Sequence, residues 1–196
     1  MVRSTVTSWP ATTRSRSGRS TCRSTGSAAP VTNDQFARFV RATGHKTTAE
    51  REGYGWGWTG KEWSWIQGAN WLNPRGPDSS STGKGDHPVV QVSWDDAKAF
   101  CDWAGLALPA EEQWEKAARE TEGRIWPWGN EPPTAERCNF DGNVGDTTPV
   151  GRYSPQGDSP YGCWDMAGNV WEWVNDRYWD TENNPGALRG GSWGGH

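Results

Sequence analysis

Sixteen tryptophans, against four phenylalanines and four tyrosines, constrain this chain more than any other feature. Only 33% of its 196 residues are hydrophobic, so the bulk needed for a core sits largely in indole rings. Each ring can bury roughly 150–250 Å², and its N–H needs a partner when buried. With 25 Gly and 13 Pro interspersed, these numbers predict a loop-rich domain stapled by aromatic contacts and hydrogen bonds. They exclude a long helical bundle, a coiled coil and a collagen-like chain.

Charge is distributed unevenly. Residues 1–33 hold Arg3, Arg14, Arg16, Arg19 and Arg23 and no acid, and the net charge of -4 leaves -9 for the rest. An acidic body disfavours nonspecific binding to nucleic acid and is compatible with divalent cations. From Arg3 to Ala29, eighteen of 27 residues are Arg, Ser or Thr, too few apolar groups to offset the entropy of ordering. Residues 1–29 therefore read as a disordered or aberrant leader, either a solvated tail or a stretch foreign to the domain, and residues 30–196 as one domain. No apolar run approaches the roughly 18 residues of a membrane span, and no secretion signal is visible. These features predict a cytoplasmic chain with no membrane contact. Cys22, Cys101, Cys138 and Cys163 form no CxxC, and His45, His87 and His196 are scattered, so zinc-finger spacing is absent.

Three helices are predicted. Thr32 or Asn33 caps the first, Phe36, Phe39 and Val40 form its apolar stripe, and Gly44 stops it. Ser93 and Asp96 make a capping box for the second, in which Ala97, Phe100, Cys101 and Ala104 fall at helical spacing and Gly105 ends the run. The third follows Pro109 and turns Trp114, Ala117 and Ala118 inward. Residues 53–87 read as loop, Val89–Val92 as a short strand, and the chain beyond Trp126 as short strands between recurring turns.

Ordered motifs then resemble the sulfatase-modifying-factor, or formylglycine-generating-enzyme-like, domain. They are Ala69-Asn70-Trp71, Gly76-Pro77-Asp78, His87 to Ala97, Leu108-Pro109, Pro127-Trp128-Gly129-Asn130-Glu131, Asp165 to Trp173, and Arg189-Gly190-Gly191-Ser192-Trp193. The resemblance runs from about Pro30 to Trp193. It implies an α+β, loop-rich variant of the C-type lectin fold with little regular secondary structure.

Asp165 and Glu172, seven residues apart around Gly168, can turn back on one another and suit calcium, an ion that takes six to eight oxygen ligands. In the resembling family the matching ligands are the Asp165 and Glu172 side chains with the Gly168 and Val170 carbonyls. A second calcium site maps onto the Asn139 side chain and Phe140 carbonyl, completed by Asp141, Asn143 or the Val144 carbonyl. The same resemblance implies oxidation of a sulfatase cysteine to formylglycine by O₂ and a copper ion held by two cysteines. In that family the pair follows the segment matching Arg189–Trp193. Here Gly194-Gly195-His196 follows, so the pair is expected to be lacking, no catalytic residue is assigned, and the chain is expected to be inactive alone.

Ala107-Leu108-Pro109-Ala110 stands where the family has Arg-Leu-Pro-Thr, and loss of that Thr cap costs roughly 1 kcal/mol. The family's first and last strands are expected to be missing, leaving bare sheet edges. A sulfatase-like polypeptide or another protein is the implied partner. The alternative is a noncatalytic, calcium-stabilised, lectin-like ligand-binding or display module using the Trp-rich stretch 53–73.

Overall fold

The computed structural model describes residues 29–59, 61–177 and 186–195, together with the backbone of 4–6 and 9–10. The expectation of a disordered leader falls largely outside these residues. Helix α1 (Asn33–Thr43) forms as its sequence dictates: Thr32 and Gln35 make a reciprocal capping box, and Gly44 closes the helix in the left-handed conformation. Helix α3 (Trp94–Ala104) uses Ser93 and Asp96 in the same way and ends at Gly105. Between them lies the short α2 (Thr48–Glu52), capped by Thr47 and Glu50, inside a stretch for which no element was predicted. Asp96 joins the two starts. Its carboxylate accepts from the Ser93 and Thr48 N–H groups at 2.9 and 3.1 Å, and His45 Nε2 lies 2.8 Å away.

Helix α4 (Glu111–Arg119) lacks a capping side chain at Ala110, as anticipated. The loss is offset by neighbours: Gln113 accepts the Ala110 N–H at 2.9 Å, and the Asp176 carboxylate accepts that of Glu111.

Two predictions along the chain need correction. Residues 53–87 contain an antiparallel hairpin, β3 (Tyr54–Trp58) with β4 (Trp63–Gln67). Its aromatic residues recur at every second position, but Gly55 and Gly57 between them mimic a loop. Val89–Val92 is no strand, because Gln91 adopts φ 61° and breaks the extended run. The Gln91 amide instead donates to the Trp56 and Pro74 carbonyls, at 3.0 and 2.9 Å.

The remaining strands complete the architecture. A three-stranded sheet has β6 (Trp171–Arg177) at its centre, with β1 (Ser4–Val6) parallel on one side and β7 (Gly186–Arg189) antiparallel on the other. Both edges of β6 are therefore paired, and β1 and β7 form the outer edges of this sheet among the described residues. A two-stranded ribbon pairs β2 (Trp9–Pro10) with β5 (Leu106–Ala107).

Strand alternation places successive β6 residues in different cores. Trp173 enters a cluster with Phe36, Phe39, Trp71, Val89 and Phe100, and its indole N–H donates to the Val92 carbonyl at 3.1 Å. Val174 enters a second cluster with Trp114, Ala117, Cys163 and Met166. The fold is α+β and loop-rich, consistent with a C-type-lectin-like arrangement. Among the described residues, no helix is long and apolar enough to cross a membrane.

Candidate functional site

Two loops meet behind the second core. The first runs from Asn139 to Thr148, the second from Asp165 to Glu172. Asp165, Gly168 and Asn169 all have positive φ, so the second loop coils tightly. A Cβ on Gly168 would lie 2.3 Å from the Asn139 carbonyl oxygen, a clash only glycine avoids. Asn169 stitches the loops together: its N–H donates to the Asn139 carbonyl at 2.8 Å, and its side chain pairs with both backbone groups of Thr148. Residues 190–195 clamp the pair, with Gly168 N–H on Gly190 O and Gly142 N–H on Trp193 O.

The structure thus brings the two sets of predicted calcium ligands side by side, but engages them unequally. Asp165 is buried, its Oδ2 accepts the Gly151 N–H at 2.9 Å, and its Oδ1 has no hydrogen-bond partner. Burial pushes this carboxyl up to about 6, against the hydrogen bond from Gly151 and the nearby Asn169 amide. Glu172 is fully buried and accepts the Trp114 indole N–H. Asn139 is also fully buried; its Nδ2 donates to the Asp146 carbonyl at 2.7 Å, while its Oδ1 has no partner. The Gly168 carbonyl accepts the Val170 N–H, and that of Phe140 the Asn143 N–H. Asp141, Asn143 and Val144 lie exposed on the rim. Among the described residues no three His, Cys, Asp or Glu side chains gather as a metal cluster. A cation here would draw on amide and backbone oxygens as much as on carboxylates.

A cavity of about 710 Å³ opens beside the first loop, lined by Trp58, Trp63, Ile66, Arg75, Asp141 and Trp193 among others. The Arg75 guanidinium lies 5.8 Å from the centre of the Trp193 ring and donates to the Gly145 carbonyl at 2.8 Å. Sequence reasoning missed Arg75 and its neighbour Asp146. Asp146 pairs with Lys84 at 2.7 Å and Arg75 at 3.2 Å. Burial alone would raise the Asp146 carboxyl, but Lys84, the Thr147 N–H and Arg75 outweigh it and hold the group below its ordinary value. The Trp-rich stretch divides: Trp71 is core, whereas Trp65 on the hairpin is 52% exposed.

The described thiols make no reactive pair. Cys101, Cys138 and Cys163 are buried and free of disulfides. Burial pushes Cys101 up to about 12, and burial with the nearby Asp165 pushes Cys138 up to about 11. Cys22 lies outside the described residues.

Comparison with known proteins agrees with this architecture. The crystal structure of CarF superimposes with a TM-score of 0.54 over 97% of this chain and 85% of that one, at 19% identity, a likeness of fold. The sulfatase-modifying factor enzyme 1-like domain model matches residues 27–196, and the chain belongs to that family. It is 41% identical to the formylglycine-generating enzyme of Thermomonospora curvata, over 78% of this chain and 59% of that protein. It is 37% identical to the inactive Cα-formylglycine-generating enzyme 2 of Bos taurus, over 84% and 63%. The chain therefore spans about three fifths of the length of these relatives.

Proposed function

We propose that this chain is a polypeptide-binding domain of the formylglycine-generating type, which holds a cysteine-bearing segment of a sulfatase-like protein in the cavity between Trp63 and Trp193. The observation that carries this reading is the cavity itself. Flat indole faces pack an extended chain, while Arg75 and Asp141 at its wall supply charged anchors of both signs. Relatives named for formylglycine generation support the substrate class, and the inactive relative supports binding without turnover.

The family's oxidation requires copper, and soft thiolates select Cu(I). The described thiols do not fit that role: all three are buried, and burial raises Cys101 and Cys138 well above the ordinary thiol value. No oxidative step is assigned to them. Calcium does fit. Asp165, Gly168, Val170 and Glu172 would hold one ion, and Asn139 and Phe140, with Asp141, Asn143 or Val144, a second. The unpartnered Oδ1 atoms of Asp165 and Asn139 support this reading, since a buried oxygen without a partner costs stability unless a donor or cation meets it. Calcium would supply charge that holds the two loops, and with them the cavity wall at Asp141.

A fluorescence titration with a cysteine-containing sulfatase peptide tests the proposal. Saturable binding, weakened at least about tenfold by Trp63→Ala, is expected, with the peptide mass unchanged in copper and air. Absence of binding would overturn the reading, and cysteine oxidation would overturn its noncatalytic part. The exposed Tyr54 and Trp65 of the hairpin, 36% and 52% accessible, favour a second reading as a lectin-like display module. That reading gains if binding is lost in Trp65→Ala and kept in Trp63→Ala.

A further inference from the structure

Gln91 is buried, and its φ of 61° lies in the left-handed region, where a Cβ is penalised and glycine is not. Backbone held against its preference persists only where its surroundings over-determine it. Two sets of contacts do so. Val89 and Val92, on either side, are seated in the aromatic core. The Gln91 Nε2 gives both its hydrogens to carbonyls of separate segments, Trp56 at 3.0 Å and Pro74 at 2.9 Å. The hairpin makes room for this amide: a Cβ on Gly55 would stand 2.4 Å from Gln91 Oε1, and one on Gly57 3.5 Å from Nε2.

The two carbonyls belong to two walls of the larger cavity. Trp56 lies on β3 two residues before Trp58, which lines the cavity with Trp63 and Ile66 of the same hairpin. Pro74 precedes Arg75, which lines a second wall and reaches the Gly145 carbonyl and the Trp193 ring. Gln91 stands behind both walls and is not itself among the lining residues. One amide, mounted on the core, therefore ties the hairpin wall to the Arg75 wall.

We propose, on the polypeptide-binding reading above, that Gln91 is the positioning residue of this cavity. Its amide sets the gap between hairpin and Arg75, and so the fit of an extended chain between Trp63 and Trp193. Without the two hydrogen bonds the hairpin keeps its own ladder but is no longer fixed against Pro74. A bound chain would then have to order the hairpin as well, and that ordering entropy is subtracted from affinity.

Hydrogen exchange and peptide titration on the full chain test this with two variants. Gln91→Gly keeps the left-handed backbone without strain and removes both donors, whereas Gln91→Met keeps the side-chain length and removes the donors alone. In both, amides of β3 and β4 should exchange about tenfold faster, the worth of one to two neutral hydrogen bonds, with α1 and α3 unchanged. The cysteine-containing sulfatase peptide should bind both about tenfold more weakly. If Gln91→Met does not fold, Gln91→Gly decides alone. Faster exchange throughout the chain, or wild-type affinity well below the melting temperature, would mark a residue that serves stability only and overturn the proposal. If wild type itself does not bind the peptide, the function proposed above falls. Exchange in Gln91→Gly then decides whether the amide fixes the wall, and an unchanged hairpin rate overturns it.

Discussion

On one face of β6, Trp173 enters a core in which Phe36 meets Phe39, Trp71 and Phe100 at ring distances of 5.3, 5.4 and 6.0 Å. On the other face, Val174 and the fully buried Glu172 enter a core where Trp114 gives its N–H to a carboxylate. The first region is held by ring contacts and well-capped helices. The second buries Asn139, Asp165 and Glu172 within a few turns of one another and leaves Asn139 and Asp165 each with an unpartnered oxygen. Apolar area stabilises the first region without help. The second carries charges that burial penalises, and it needs something to meet them. Under the calcium reading proposed above, stability and ligand dependence would belong to opposite faces of one strand.

Mutations should separate the two. Phe36→Ala removes the ring at the centre of the aromatic core and should cost about 4 kcal/mol in urea unfolding, by the same amount with calcium or chelator present. A cost that changes with calcium would merge the two regions. Asp96→Ala should cost about 3 kcal/mol, because it strips the α2 and α3 starts and His45 of one shared acceptor. A loss under 1 kcal/mol would show that the two capping boxes stand without it.

The smallest expected effect is one of pH. Burial holds His87 below its ordinary value of 6.5, and its Nδ1 lies 2.9 Å from the Thr147 hydroxyl. As pH falls through 6.5 the unfolded chain takes up the proton before the folded one, so the contribution of His87 to stability is lost on acidification, opposite in sign to that of Asp165, whose raised carboxyl takes its proton first in the folded chain. His87→Gln should make the melting temperature fall less, or rise more, than in wild type between about pH 7 and 5, the range in which histidine titrates. A pH profile identical to wild type would show that His87 makes no such contribution.

The two regions also differ in how far the sequence discloses them. Helices α1 and α3 and their cores are readable because cap, stripe and stop lie within a dozen residues. Ser93 and Asp96 announce a helix start whatever the rest of the chain does. The hairpin was hidden because Gly55 and Gly57, which pack against Gln91, look like loop residues while occupying strand positions. Gln91 itself defeated the strand reading of Val89–Val92, since its left-handed backbone serves two carbonyls far away in sequence. In the loop region, spacing alone suggests that Asp165 and Glu172 could turn back on each other. Their juxtaposition with Asn139 depends on Gly168 packing against a carbonyl 29 positions earlier. No local pattern encodes that contact, nor the Arg75–Asp146–Lys84 pairing. Family resemblance names Asp165, Glu172 and Asn139 as members of two separate ligand sets, and only the folded chain shows either contact.

The claim that the loop region is completed by a cation is tested most directly by melting the full chain with calcium and with a chelator, for wild type and for Asp165→Ala. Chelation should lower the wild-type melting temperature by several degrees, about 1–2 kcal/mol for a domain of this size, and Asp165→Ala should abolish the difference. A wild-type melt that is the same in calcium and chelator would contradict it.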